Sequence, residues 1–215
     1  SDGFYEDPLR AIRLARFHTY SHLQDFIVHD STIKSISDIV SSGEIAELSP
    51  ERIWSETLKA LKSNNPNIYF EKIISLNLKD PYFVNLNTPF CDSHDNHEVR
   101  WSELQLNNNF ELGDRLPIPN GYKNISDILK IVSAINVNIR DEDLISILIR
   151  SNFKKNKEMV EKLVTLPHIK ENKDFILKLV NEVDDADFSF LAKTPKEQIE
   201  AEKTKIYKKI ILNCK

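Results

Sequence analysis

The sequence predicts an all-α chain, and three observations carry that expectation. Apolar residues recur at helical spacing over most of the 215 residues. Only four residues are glycine, about 2 % against roughly 7 % in an average protein, which argues against folds with many tight turns. No alternating apolar/polar run is long enough for a strand, the weak candidate being FIVHD at 26–30.

The elements follow in order. Asp7-Pro8 is a start signal, Asp as N-cap and Pro at the first helical position, for a helix over 8–23 with Leu9, Ile12, Ala15 and Phe17 on or beside one stripe. A second helix is expected over 31–42, opening on Ser31 or Thr32 and ending at Gly43. Ser49-Pro50 starts a third, which carries Ile53, Trp54, Leu58 and Leu61 into a core, and a fourth covers about 66–77. Residues 78–124 read differently. Pro81, Pro89, Pro117, Pro119, the run Asn107–Asn109 and Asn120-Gly121 mark turns and loops, with a short helix near 98–106. Helical periodicity returns at 125–136 and 141–150, then near 155–165 and 171–182. Thr194-Pro195 caps a basic helix over 195–213. The organisation expected is 1–78, a loop-rich segment 79–124, and a helical 125–215, with a boundary near 115–124.

Composition excludes several classes. With no GxGxxG and no GxxxxGK[ST], a glycine-rich phosphate cradle is ruled out. The longest apolar runs, such as LISILI at 144–149, are too short to span a membrane. A formal net charge of −4, from 29 basic and 33 acidic residues, is not the footprint of binding nucleic acid by bulk charge. Residues 192–215 nevertheless hold seven Lys and three Glu. Cys91 and Cys214, far apart and in polar surroundings, make no disulfide framework, so a reducing cytoplasm is the expected compartment. The start, SDGFYEDPLR, lacks an initiator Met and resembles neither a signal nor a transit peptide, so the chain reads as a piece of a longer one.

The most informative stretch is Glu6-Asp7-Pro8-Leu9-Arg10-Ala11-Ile12-Arg13-Leu14-Ala15-Arg16-Phe17. Asp7 and Arg10 are three apart, on one side of the first helical turn. A carboxylate beside an arginine fork is a two-part edge reader: it accepts from an exocyclic amine and donates to a neighbouring ring nitrogen or carbonyl. Cytosine and adenine satisfy both halves. Guanine and uracil leave the pair mispaired, which is costly in a buried site. Spacing alone leaves the plainer alternative open, a helix cap followed by a solvated arginine stripe.

EDPLRAIRLARF resembles the EDxxR motif of class II tRNA nucleotidyltransferases, the CCA-adding enzymes and their bacterial poly(A) polymerase relatives. LSPERIWSETLKAL at 48–61 resembles the motif that follows it, Arg52 and Glu56 in an RxxxE frame, at the right order and separation. The resemblance covers roughly residues 2–78. It implies an all-α neck, body and tail. It implies that Asp7 and Arg10 pair with incoming CTP or ATP, that Glu6 steadies Arg10, and that Arg13 and Arg16 reach nucleotide phosphate or RNA, with a structural ion pair as the alternative for Arg16. Arg52 and Glu56 would brace the neck as an i, i+4 ion pair. In the family, the chemistry belongs to an N-terminal head holding Mg2+, which this chain lacks. The chain is therefore expected to select nucleotides and hold the tRNA 3′ end without catalysing addition alone, with no catalytic residue and no metal ligand of its own.

Other groups carry less. Cys91, Asp92, His94, Asp95, His97 and Glu98 are dense in ligand-type residues, but lack the paired spacing of a zinc site and read as a polar surface loop. His94-Asp95 lacks the further ligands of an HD phosphohydrolase site. His18 and His22 are expected to pack around the neck, and Trp54 and Trp101 to anchor core or loop. Lys203, Lys205, Lys208 and Lys209 either grip RNA phosphates or form a solvated helix face.

Overall fold

The computed structural model describes residues 3–23 and 25–215. They form α-helices and short 3-10 turns, with no strand among the described residues. The weak strand candidate at 26–30 forms no strand: residues 26–29 lie in no regular element, and Asp30 already begins a helix. The helices are α1 (Gly3–Glu6), α2 (Leu9–Phe17), α3 (Asp30–Ser42), α4 (Pro50–Leu61), α5 (Pro66–Ser75), α6 (His97–Asn107), α7 (Asn120–Ser133), α8 (Asp141–Ser151), α9 (Phe153–Leu163), α10 (Lys173–Asp185) and α11 (Lys196–Cys214). No helix is long and apolar enough to cross a membrane.

The chain divides into two compact units, one running to Ser126 and the other from Asp127 to Lys215. In the first, α2 packs on α4 and α5, and α4 packs on α6. Leu9, Ile12, Ile36, Ile39, Ile53, Leu61 and Ile73 are buried there together with Trp54, Trp101, Tyr69, Phe70 and Phe83. The two tryptophans meet edge to face at 5.2 Å, and Tyr122 meets Trp54 the same way at 5.1 Å, so both are core anchors. In the second unit, α10 packs on α9 and α11, and α11 on α8. Its core is mostly aliphatic, with Leu144, Leu148, Val160, Leu163, Ile176, Leu179, Val180 and Ile211 buried.

Local signals explain several helix ends. Ser49 accepts the Arg52 N–H and Pro50 fills the first position of α4, as expected. Gly43, at φ 81°, closes α3. Three boundaries differ from the sequence expectation. Helix α2 stops at Phe17 instead of running to 23 because side chains take over its last carbonyls. The Thr19 hydroxyl donates to Arg16 O at 2.8 Å, and the His18 ring bridges Leu14 O (2.9 Å) and Phe26 O (3.2 Å). The cap of α3 is His29, whose Nδ1 accepts the Ser31 N–H, not Ser31 or Thr32. Asn120-Gly121 opens α7 instead of forming a turn.

Residues 79–119 are the larger surprise. They are tied down by polar side chains of α6 that read as loop formers in sequence. Asn108, just past α6, accepts the N–H groups of Asn87 (2.8 Å) and Thr88 (3.0 Å) and donates to Thr88 O and Leu104 O. The Gln105 amide exchanges two hydrogen bonds with the Leu112 backbone. Arg100, 6 % exposed, donates to His94 O, Leu61 O and Ser63 O, so it caps the C-terminal carbonyls of α4 from inside. Cys91 is a core residue, not part of a polar surface loop: it is fully buried, and burial pushes its thiol well above the usual range. Cys214 is buried as well.

Candidate functional site

The two motifs singled out in the sequence lie on α2, with the turn before it, and on α4, and these helices pack together. Asp7 sits just before α2 and accepts the Leu9 N–H at 3.3 Å, but the cap position of the helix is held by Pro8, one residue later than the sequence suggested. The same carboxylate accepts from Arg52 Nη2 at 3.0 Å and 3.3 Å. One turn further along α4, Glu56 accepts from Arg16 Nε and from Lys59 Nζ at 2.8 Å. Arg13 bridges the two carboxylates, 3.8 Å from Asp7 and 3.6 Å from Glu56. Charges therefore zip α2 to α4 in the same order along both helices.

This corrects the expected pairing. Arg52 and Glu56 do not bond to each other along α4; each reaches across to α2, Arg52 to Asp7 and Glu56 to Arg16. The reason is burial. Glu56 is 2 % exposed and faces α2, so its lone pairs are satisfied by the cations that face it there. Burial by itself would raise its pKa. Hydrogen bonds from Lys59 and Arg16, with their positive charge, outweigh that and hold the carboxyl below its usual value.

Arg16 is 8 % exposed, bonded to Glu56 and to the Tyr20 hydroxyl, and stacked on the Phe17 and Tyr20 rings with Cζ 4.5 Å and 5.6 Å from their centroids. It is placed as a structural ion pair, the alternative the sequence left open. Arg10 is the opposite case: it is exposed, and its side chain makes no hydrogen bond or ion pair among the described residues. Its guanidinium lies against Gly3, where a Cβ would come within 1.9 Å of Nη1. Glu6, also exposed, forms no bond to Arg10 among the described residues. Arg10 lines an open cavity of about 320 Å³ with Phe4, Arg13, Leu14 and Phe17. An aromatic and aliphatic wall thus adjoins one free guanidinium fork, with the carboxylate of Asp7 fixed nearby by Arg52. Such a surface offers a flat ring a stacking face and a set of edge donors.

Sequence reasoning missed Phe4, Lys59 and Tyr20. Lys59 and Tyr20 were findable, since they stand three and four residues from Glu56 and Arg16. Of the C-terminal lysines, Lys205 pairs with Glu202 at 2.6 Å, while Lys203, Lys208 and Lys209 have no partner among the described residues. His94 accepts the Asn96 N–H and Asp95 is solvent-exposed beside Arg100. No three His, Cys, Asp or Glu side chains form a metal-holding group among the described residues.

Residues 25–88, covering α3, α4 and α5, match a family model described as "Probable RNA and SrmB-binding site of polymerase A". Proteins named multifunctional CCA protein also match part of the chain. That of Mannheimia succiniciproducens is 45 % identical over 76 residues, which is 35 % of this chain and 18 % of that protein. Those of Shewanella frigidimarina and Aliivibrio salmonicida are 45 % identical over 71 and 69 residues, each 17 % of the relative.

The matched segment is similar to the corresponding part of proteins named multifunctional CCA protein and to the polymerase A family model. It spans less than a fifth of each of these relatives. The stretch Asp7–Arg16 lies outside the residues the family model covers, and no solved structure matches the chain.

Proposed function

We propose that this chain is the nucleotide-selecting and tRNA-binding C-terminal portion of a CCA-adding tRNA nucleotidyltransferase. The observation that carries the reading is the unequal fate of the arginines on α2. Arg13 and Arg16 are taken up by carboxylates, and among the described residues Arg10 alone on this helix presents a fork without a partner, beside an aromatic-walled cavity, with Asp7 bonded to Arg52. Pre-organised donors and acceptors discriminate best when they need not be reoriented on binding. In this role Asp7 accepts the exocyclic amine of cytosine or adenine, and Arg10 donates to the neighbouring ring nitrogen or carbonyl. Glu56 and Arg52 act through others, as positioning residues.

Bond formation is assigned elsewhere. In this reading the Mg2+ of the reaction is held by a head domain, and this portion is expected to need that head for nucleotide addition. The partners in this reading are CTP, ATP and the tRNA 3′ end, in the cytoplasm. A poly(A) polymerase with the same neck is the second reading, because the matched family model is itself described for polymerase A. Primer extension with the head restored separates the two, giving CCA on a trimmed tRNA or a run of A on any RNA. In the same assay Asp7→Ala and Arg10→Ala are expected to lose preference for CTP and ATP. Unchanged incorporation and discrimination in both variants would overturn the assignment.

A further inference from the structure

At and just past the end of α2 the chain holds three aromatic rings in a row. Phe17 and Tyr20 lie 6.2 Å apart, and Tyr20 stacks on His22 at 6.0 Å with the two planes 11° apart. All three are exposed, Phe17 at 44 % and Tyr20 at 38 %. Three features fit this row to one class of ligand.

The first is rigidity. The buried guanidinium of Arg16, itself held by Glu56, lies over the Phe17 and Tyr20 rings and donates to the Tyr20 hydroxyl. The backbone is a series of closed turns: the Tyr20 N–H donates to Phe17 O at 3.1 Å and the Leu23 N–H to Tyr20 O at 2.8 Å. His18 and Thr19, between the rings, are buried and bond to the carbonyls of α2. The segment is thus pinned from inside while its rings stay at the surface. Rings fixed in place lose little freedom when a ligand settles on them.

The second is shape. Near-parallel planes offer a flat π face, and every nucleic-acid base has a matching one. A docked protein helix is instead received by an apolar groove. The third is charge and position. Phe17 is also a wall of the cavity that Arg10 and Arg13 line, so two guanidiniums stand at one end of the row. Aromatic rings beside cations are the combination that holds unpaired strands without reading their sequence.

We propose that this row is a stacking platform for the unpaired 3′-terminal bases of an RNA strand. The last base lies on Phe17 beside the cavity, and the base before it on Tyr20 and His22. The proposal rests on the reading of the chain as the part that holds the tRNA 3′ end. It brings that end to the wall of the cavity where the incoming base is read. Glu56 and Arg16 serve as positioning residues, acting through the rings.

The test is fluorescence anisotropy of the 215-residue chain with a short labelled single-stranded RNA ending in two cytidines, and with the same RNA closed into a blunt duplex. Saturable binding of the single strand and weaker binding of the duplex are expected. His22→Ala changes an exposed ring and leaves the Arg16 contacts in place. It should weaken single-strand binding about fivefold or more, the worth of one stacked base, and His22→Tyr should restore it. Tyr20→Leu, which keeps apolar bulk and removes the π face, should weaken binding at least as much. Single-strand binding indifferent to both substitutions, or equal affinity for the duplex, would overturn the platform and leave the tRNA-holding reading standing. Absence of RNA binding would overturn both. Self-association lost in His22→Ala, without ring-dependent RNA binding, would make the row a contact between copies of the chain and overturn the proposal.

Discussion

Two basic helices of this chain use positive charge in opposite ways. On α2, the charges of Arg13 and Arg16 are opposed by carboxylates of another element or of the preceding turn, and Arg16 is buried in the process. On α11, Lys205 is matched by a neighbour on its own helix, while Lys203, Lys208 and Lys209 stay unpaired. Paired arginines fix geometry, whereas unpaired lysines supply field and little position. Arg10 stands out by this contrast, being exposed and without a side-chain partner among the described residues on a helix whose other arginines are committed.

Breaking the α2–α4 seam at its buried acid should have the largest effect. Glu56→Ala leaves Arg16 charged and enclosed, and should destabilise the first unit by about 3–5 kcal/mol. Both tryptophans lie in that unit, so thermal unfolding followed by tryptophan fluorescence reads it directly. Arg100→Ala, which uncaps α4, should cost about 1.5–3 kcal/mol in the same measurement.

Acid sharpens the comparison next. Because the folded pKa of Glu56 lies below its unfolded value near 4.5, its contribution is fully present above that pH and is lost as pH falls through the lower folded value. Tryptophan fluorescence during acid titration should therefore show the first unit loosening below pH 4.5, and Glu56→Gln should remove that component. Arg52→Ala comes lower in stability, at most about 1 kcal/mol because the Arg52–Asp7 pair is partly exposed. It should lower nucleotide discrimination in the head-containing enzyme all the same, by releasing Asp7. Smallest of all, joint replacement of Lys208 and Lys209 by Ala should move stability by less than about 0.5 kcal/mol. If these lysines touch RNA phosphates, the salt slope of RNA binding should drop by about one per lysine; an unchanged slope makes them a solvated face.

What was legible in the sequence follows physical range. Caps that act over three residues, such as Ser49-Pro50 and Gly43, mark boundaries because the relevant atoms are neighbours in the chain. The end of α2 was not legible: it depends on His18 meeting Phe26 O, eight residues away. Residues 79–119 read as loop because Asn and Gln favour turns locally, while here Asn108 and Gln105 organise loops from 7 to 21 residues away. Asp7, Arg10, Arg52 and Glu56 were all singled out from the sequence, but the partners of Asp7, Arg52 and Glu56 were set by which face of α4 meets α2, and spacing within one helix cannot supply that.

The central claim is that Asp7 and Arg10 read the base edge while Arg13, Arg16, Arg52 and Glu56 hold the frame. The most direct measurement is the ratio of kcat/KM for CTP over UTP in the head-containing enzyme carrying Arg10→Lys, which keeps the charge and removes the planar fork. The account predicts a fall of at least about tenfold in that ratio, the value of one base-edge contact, with thermal stability unchanged. A ratio equal to that of the unaltered enzyme would contradict it.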